Sequence, residues 1–247
     1  MPRSRAPSAA PRLVAAGDSA WTVTFGDAID PAINDRVLAF AERVNAVCRA
    51  ARGVRAVRWP GLVEAVPAVR SATVYFDPCR VDGTALAKRL LELARRPRSR
   101  TARRRGRLVE IPVWYGGEAG PDLPSVAEFA GLTEEAVVRL HAAEPYRVYM
   151  LGFAPGFPYL GPVPPAIAMP RLAPPRRVVP AGSVGIAGSQ TGIYPQDSPG
   201  GWRIIGRTPR RLYDPSARRP FVLAPGDRVR FVPIARETFE RLRARRG

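Results

Sequence analysis

The sequence predicts an α+β protein of two domains, an N-terminal ferredoxin-like α/β domain followed by a small β-barrel domain. The first observation is the order β-α-β-β-α between residues 12 and 96, which is the order of a split βαβ unit. The second is residues 151–202, which are rich in Pro and Gly yet apolar, as expected for the tight corners of a barrel. An arginine run between the two segments marks the boundary.

The strands and helices of the first domain are predicted from the spacing at which apolar residues recur along the chain. Residues 21–25 alternate apolar and polar side chains, which predicts a strand. Asp30 is placed to cap a helix that has Pro31 at its first position, and an apolar stripe extends that helix to about Arg52, where Gly53 ends it. The other elements predicted here are strands at 63–69 and 72–76, a helix at 84–96 and a candidate closing strand at 108–114.

The second domain, residues 108–235, is predicted to be mostly β-structure after two short helices. Thr133 caps the second helix, Glu134 and Glu135 lie at its positive end, and Pro145 ends it. Further along, residues 224–227 read Ala-Pro-Gly-Asp between two apolar strands, which indicates a type II turn.

The charge is strongly basic and concentrated in particular segments. The chain of 247 residues has a net charge of +18 and a pI near 11.4, and Lys88 is its only lysine. Eight arginines lie between residues 95 and 107. We expect residues 97–107 to be a solvated arginine-rich linker, residues 236–247 a basic tail and residues 1–11 a disordered leader. Binding of a polyanion is the alternative, but nucleic acid is not favoured as a partner because no nucleic-acid module accompanies the arginines.

Composition also excludes several classes of protein. No apolar run reaches the length of a membrane span, and the N-terminus lacks the apolar core of a secretory signal. Cys48 and Cys79 have no metal-ligand spacing, so no metal site is predicted, and the cytoplasm is the expected compartment. No Walker A motif surrounds Lys88, so the residues of a nucleotide site remain unknown.

Several long motifs in the second half of the chain resemble those of the KipI/PxpB family, that is, the B-type component of 5-oxoprolinase and the related first subunit of allophanate hydrolase. The motifs that carry the resemblance are IPVWYGG (111–117), GPDL (120–123), LGFAPGFPYLG (151–161), VPAGSVGIAG (179–188), QTGIYP (190–195), SPGGW (198–202), IGRT (205–208), DP (214–215) and PGDRVRF (225–231).

The resemblance implies a cyclophilin-like β-barrel in the second domain and a role as one component of an enzyme complex. In that family the complex opens the lactam of 5-oxoproline to glutamate with hydrolysis of ATP, which is the co-substrate. The implied partners are a KipA/PxpC-like component and a LamB/YcsF-like component. Some relatives instead inhibit a sensor histidine kinase, and this regulatory role is the alternative function. We expect the chain to be inactive alone, since no phosphate-binding loop is visible.

Six residues are candidates for the site. His141, the only histidine, and Arg207 are the candidate catalytic residues; Gln190, Tyr194, Arg171 and Arg176 are the candidate substrate-binding residues. An amide, a phenol and guanidinium groups suit a substrate with amide and carboxylate oxygens.

Each candidate also has a structural interpretation. His141 lies at a helix end, where its interaction with the helix dipole is the alternative to catalysis. Gln190, Tyr194 and Arg207 could equally fix turns through hydrogen bonds. Phe153, Phe157 and Trp202 are expected to form wall and core rather than to contact the chemistry.

Overall fold

The computed structural model describes residues 10–51, 59, 61–96 and 106–245. These residues fall into two compact units, residues 1–104 and residues 105–247. Residues 97–105 of the predicted linker, residues 1–9 of the predicted leader and the predicted helix end at 52–53 lie outside the described residues.

Unit 1 contains a four-stranded antiparallel sheet and two helices. Its elements are β1 (Arg12–Ala15), β2 (Ala20–Thr24), α1 (Pro31–Ala51), β3 (Leu62–Pro67), β4 (Ser71–Phe76) and α2 (Gly83–Arg95). The strand order is β1-β2-β4-β3. The predicted β-α-β-β-α order is therefore present, preceded by one further strand, β1.

The helices of unit 1 begin where their capping residues are. Asp30 Oδ1 accepts hydrogen bonds from the backbone N–H groups of Ala32 (2.7 Å) and Ile33 (3.0 Å), as the sequence predicted. Asp82 caps α2 in the same way. The inward stripes of both helices pack on one face of the sheet in a core that includes Phe40 and Leu90.

The candidate closing strand of this unit is a wrong prediction. Residues 108–115 form β5 (Leu108–Tyr115), which belongs to the barrel of unit 2, and β1 occupies the sheet edge beside β2. The hydrophobic pattern predicted the existence of the strand but not its partner, because pairing depends on contacts that are distant in the chain.

Unit 2 is built around a closed barrel of seven strands. Its strands after β5 are β6 (Tyr146–Leu151), β7 (Pro158–Gly161), β8 (Arg176–Val179), β9 (Ser183–Ala187), β10 (Gln190–Ile193), β11 (Ser198–Gly200), β12 (Arg203–Arg207) and β13 (Arg228–Pro233). Its helices are α3 (Leu123–Ala130), α4 (Glu134–Ala143) and α5 (Arg236–Ala244). The barrel order is β10-β7-β6-β13-β5-β12-β9, and β8 and β11 form a separate two-stranded sheet.

The barrel closes through a parallel pairing of β5 with β13, the remaining neighbours being antiparallel. Buried Asp227 supports this junction by accepting from the backbone N–H (3.0 Å) and the side chain (2.7 Å) of Arg107. The predicted turn before β13 is confirmed, with Gly226 at φ 90° and a 3.0 Å bond from Asp227 N to Ala224 O.

Alternate strand residues point into the barrel, where they join α3 and α4 in one apolar core. Ile111, Val184, Ile193, Ile205 and Phe231 are among its fully buried members. Helix α4 begins at Thr133, whose Oγ1 accepts from Ala136 N, and ends before Pro145, as predicted.

The predicted basic tail differs from the structure. Residues 236–244 form α5, whose Phe239 is buried and contacts Trp114 with ring centroids 5.4 Å apart. Because arginines dominate the composition of this segment, the composition did not indicate that one apolar residue, Phe239, anchors a helix. No helix among the described residues has the length and apolarity that crossing a membrane requires.

Candidate functional site

The candidate site lies on the outer face of the barrel, over β7, β9 and β10. Gly185 of β9 and Gly192 of β10 are direct cross-strand partners. A Cβ on Gly192 would lie 2.9 Å from the Trp202 ring and 3.0 Å from the Phe157 ring, and a Cβ on Gly185 would lie 3.1 Å from Trp202 Cβ. Because these two glycines have no side chains, the surface of the sheet leaves a shallow seat, and the indole of Trp202 packs into it.

An aromatic cluster surrounds this seat. Phe157 is its centre, with ring centroids 5.3 Å from Trp202, 5.2 Å from Tyr194 and 5.0 Å from Tyr159. The first two pairs are edge-to-face, the arrangement that aromatic quadrupoles favour. Phe157 and Trp202 are buried, as predicted for wall and core.

Three of the predicted binding residues meet at this cluster. The guanidinium carbon of Arg171 lies 5.9 Å from the Trp202 ring centroid. Burial raises the pKa of Tyr194, while a backbone hydrogen bond from Trp202 and the charges of Arg171 and Arg176 oppose that rise. Burial likewise raises the pKa of Tyr159, again opposed by Arg171. Two neutral phenols therefore lie within the electrostatic influence of Arg171, and Tyr194 lies also within that of Arg176.

Arg176 is held by a buried carboxylate that sequence reasoning did not single out. Its Nη2 donates to Asp122 Oδ1 at 2.7 Å, and Asp122 Oδ2 accepts from the backbone N–H of Ile204 at 2.6 Å. Asp122 precedes Leu123-Pro124 and resembles a helix cap in sequence, yet it makes no capping hydrogen bond with its side chain. Its carboxylate instead ties β8 to β12.

Two polar atoms of the two-stranded sheet have no hydrogen-bond partner among the described residues. They are Arg176 Nη1 of β8 and Ser198 Oγ of β11, and both are buried. Gly200 is the cross-strand partner of Arg176 and Ser198 that of Val179. Ser198 belongs to a motif that the sequence displayed, but nothing in the pattern separated its hydroxyl from that of an ordinary turn residue.

Phe153 differs from its prediction as wall or core. It is 63% exposed and has φ 66°, the one positive φ found at a non-glycine residue of the described chain. Its ring meets Phe157 (5.4 Å) and Tyr194 (6.3 Å) edge-on, at the rim of the cluster. A bulky residue in the left-handed region with an exposed ring is unusual, and such strain concentrates at functional sites.

His141 lies on the opposite, inner side of the same strands and is fully buried. Tyr115 Oη lies 2.8 Å from its Nδ1 and Thr191 Oγ1 lies 2.9 Å from its Nε2. Since the Thr191 hydroxyl donates to Gly185 O (2.9 Å), it accepts from Nε2–H, and Nδ1 accepts from Tyr115. Burial lowers the pKa of His141 from 6.5 to about 3, so the ring is neutral.

The position of His141 does not fit the predicted catalytic role. Its ring stacks on Phe231 at a centroid distance of 4.6 Å, and both nitrogens are used within the core. A group that transfers protons to a substrate must reach that substrate. The sequence placed His141 correctly near the end of α4 but could not show that this turn faces the barrel interior.

Arg207 and Gln190 are the two remaining candidates from the sequence. Arg207 Nε donates to Ala181 O (2.8 Å), while Asp197 Oδ1 accepts from Ala181 N (2.7 Å), so the two side chains hold the peptide at the base of the β8–β11 sheet. Burial lowers the pKa of Arg207, and the charge of Arg243 acts in the same direction. Gln190 begins β10 next to the turn at Gly188 and is half-buried.

Comparison with known proteins identifies the relatives of this chain. Residues 11–223 match the family described as carboxyltransferase domain, subdomain C and D. The chain is 42% identical over 238 residues to the 5-oxoprolinase B subunit of Bacillus subtilis, covering 90% of this chain and 92% of the relative. It is 48% identical over 181 residues to the 5-oxoprolinase B subunit of Escherichia coli O157:H7, covering 72% and 81% of the two chains.

Solved structures agree with these matches. TTHA0988 is 44% identical with a TM-score of 0.73, and the match covers 87% of this chain and 40% of that longer one. A conserved uncharacterized protein of Pyrococcus horikoshii is 45% identical with a TM-score of 0.53, and the match covers 92% of this chain and 100% of that one. The urea carboxylase of Kluyveromyces lactis shares the fold at 22% identity, with a TM-score of 0.71 over 97% of this chain and 24% of its own length.

Proposed function

This chain belongs to the family of 5-oxoprolinase B subunits, and we propose that it serves in that capacity in an ATP-dependent 5-oxoprolinase complex. The complex converts 5-oxoproline, ATP and water to glutamate, ADP and phosphate. The observation that carries the proposal is the match to the Bacillus subtilis protein along nearly the whole length of both chains.

The outer face of the barrel supports this assignment chemically. 5-Oxoproline presents a carboxylate and a lactam, and both groups offer oxygen atoms to hydrogen-bond donors. Arg171, Arg176 and Tyr194 supply guanidinium and phenol donors beside an aromatic wall. We assign substrate binding to these three residues and retain Gln190 as a peripheral contact, while Arg207 and His141 act on the framework.

Each unit can also be given a specific fold within the α+β class. We propose that residues 12–96 are a ferredoxin-like domain in which β1 takes the edge position, and that residues 108–235 are a cyclophilin-like barrel. The strand order β1-β2-β4-β3 and the closed seven-stranded barrel support these assignments.

The helix N-termini among the described residues do not favour binding of the ATP phosphates. Each of the five α-helices in this part of the chain has a carboxylate at or beside its N-terminus, and negative charge there disfavours phosphate. These carboxylates belong to Asp30, Asp82, Asp122, Glu134 and Glu237. Lys88 lies exposed within α2. We therefore assign ATP to the partner proteins and expect this chain to bind and orient the substrate.

The name of the matched family supports the need for partners. It covers subdomains C and D of a carboxyltransferase domain, and the urea carboxylase match occupies about a quarter of that longer chain. A KipA/PxpC-like protein and a LamB/YcsF-like protein would supply what this chain lacks. The regulatory alternative, inhibition of a histidine kinase, is not supported, because the similar curated relatives carry the name of the enzyme component.

A cytoplasmic location is part of the proposal. Cys48 is buried and Cys79 exposed, and neither is in a disulfide. Free thiols are typical of proteins from reducing compartments.

Reconstitution tests the proposal. The purified chain is assayed for glutamate release from 5-oxoproline alone, with the PxpC-like and LamB/YcsF-like partners, and with both partners but no ATP. We expect turnover only in the complete ATP-containing mixture. Turnover by the chain alone would refute the need for partners, and a complete mixture without turnover would refute the function.

A further inference from the structure

The two terminal nitrogens of the Arg176 guanidinium differ: Nη2 binds a structural partner and Nη1 has no described partner. Nη2 donates to Asp122, whose other oxygen is fixed by the Ile204 N–H, so the plane of the guanidinium is set. Nη1 is buried without a partner among the described residues. An arginine oriented by a carboxylate, with one donor edge left over, is suited to bind a second anion.

Two residues with hydroxyl groups lie on, or pack against, the strand that pairs with the strand of Arg176. Ser198 Oγ is likewise buried and without a described partner, and its strand pairs with the strand of Arg176. Tyr194 reaches the same sheet because Gly200, the cross-strand partner of Arg176, has no side chain: a Cβ there would collide with the phenol oxygen. Tyr194 itself is buried, and its phenol oxygen lies against Gly200.

The charge of this region selects an anion. Arg171 and Arg176 lie within electrostatic reach of Tyr194. The nearby carboxylates are already used, Asp122 by Arg176 and Ile204, and Asp197 by the Ala181 N–H. A guanidinium and two kinds of hydroxyl group match a carboxylate, which accepts several hydrogen bonds at once.

We infer that Arg176, Ser198 and Tyr194 form a carboxylate-binding subsite, which rests on the proposed function and holds the carboxylate of 5-oxoproline. Asp122 is its positioning residue. Because Nη1 and Oγ are covered in this structure, the ligand reaches them through local side-chain movement, with β8 still held to β12 by Asp122. Phe153 stands at the rim, where its exposed ring can cover the bound substrate.

The test pairs variants of the protein with a variant of the substrate. The assembled complex is assayed with 5-oxoproline and with its carboxamide, in which the carboxylate is replaced by a neutral group of the same shape. For the wild type we expect kcat/KM to favour the acid by roughly tenfold to a hundredfold. Ser198→Ala should reduce that preference by about tenfold, and Arg176→Gln should abolish it. In both variants the activity toward the carboxamide should fall by a smaller factor than the activity toward the acid.

Controls separate the subsite from general damage. Ser189→Ala and Arg177→Gln remove an exposed hydroxyl and an exposed cation from the same unit and should keep the full preference. Asp122→Asn should weaken the preference through a raised KM with nearly unchanged kcat. Arg176→Gln leaves Asp122 without its cation and can fail to fold. Ser198→Ala removes no described hydrogen bond, so its acid preference is the main test of the subsite.

The outcomes are distinct. If the wild-type complex hydrolyses 5-oxoproline but Ser198→Ala and a folded Arg176→Gln retain the acid preference, the subsite is wrong and the proposed function stands. If the wild-type complex does not hydrolyse 5-oxoproline, the proposed function is wrong and this assignment falls with it. Calorimetric titration of the wild-type complex with 5-oxoproline, without ATP, should show binding that Ser198→Ala weakens about tenfold.

Discussion

Unit 2 contains two groups of buried polar atoms, and the groups differ in how completely they are hydrogen-bonded. Inside the barrel, Tyr115, His141 and Thr191 form a chain of bonds that ends on Gly185 O, and every donor in it has an acceptor. Outside, Arg176 and Ser198 bury donors that no described residue accepts. The difference separates structure from function: a satisfied buried network fixes a fold, whereas unsatisfied buried donors carry a cost that a ligand can remove.

The largest expected effect tests the inner face. His141→Ala removes a ring stacked on Phe231 and leaves Tyr115 and Thr191 without their nitrogen partners. We expect the free energy of unfolding to fall by about 3 to 5 kcal/mol, because a cavity and lost hydrogen bonds act together. Urea unfolding of the purified chain measures it, and the folded fraction should keep its specific activity in the complex. A stable variant with lost turnover would return His141 to the active site.

The second prediction concerns acid stability. The pKa of His141 is about 3 when folded and 6.5 when unfolded, so below pH 6.5 the unfolded chain binds a proton that the folded chain excludes. The contribution of neutral His141 to the free energy of unfolding is therefore fully present above pH 6.5. It is lost as pH falls toward 3, by roughly 1.4 kcal/mol per pH unit. Unfolding curves at about pH 7 and about pH 4.5 should show the difference between wild type and His141→Gln narrowing by about 2 to 3 kcal/mol. A constant difference would show that His141 is not buried as a neutral ring.

The third prediction tests the outer face. Tyr194→Phe removes one phenol oxygen and keeps the ring against Phe157. We expect kcat/KM of the assembled complex to fall about tenfold, with a melting temperature lowered by only a few degrees. Tyr75→Phe, at an exposed tyrosine of unit 1, controls for loss of a phenol oxygen outside the site and should change neither value. A loss of stability as large as that of His141→Ala would make Tyr194 a framework residue instead.

The smallest expected effect concerns the rim. Asn tolerates a positive φ better than Phe, so Phe153→Asn should change the free energy of unfolding by less than about 1 kcal/mol. If the ring covers the substrate, KM should rise about threefold to fivefold while kcat changes less. Phe129→Asn, at a similarly exposed phenylalanine of α3, serves as the control. An unchanged KM would remove Phe153 from the site.

Local sequence signals predicted local structure well. Asp30, Thr133 and the turn at 224–227 set element boundaries because each acts on backbone groups within three residues. The same reasoning missed β1, which is only four residues long, and α5, whose one buried apolar residue lies among arginines and glutamates. It also offered the strand at 108–114 as a possible closing strand of the first sheet, although that strand pairs in the barrel, because strand pairing is decided by distant residues.

The candidate site was predictable only in part, for a related reason. Tyr194, Arg171 and Arg176 were identified because they belong to a turn-rich segment that the chain displays as one block. Asp122 lies 54 residues before its partner Arg176, and only the folded barrel brings the two together. Whether His141 faces inward depends on how α4 packs, and neither its residue type nor its spacing carries that information.

The parallel junction of β5 and β13 determines when this barrel can form during protein synthesis. The paired residues are 120 positions apart, as Arg107 and Asp227 show. Until β13 has left the ribosome, the remaining strands can form at most a six-stranded sheet, with β5 and β6 as open edges. Open edges invite pairing with other chains, and contacts of long range form slowly. The nascent barrel is therefore exposed to aggregation until residues 228–233 emerge, and its assembly with other proteins must wait until that strand has been made.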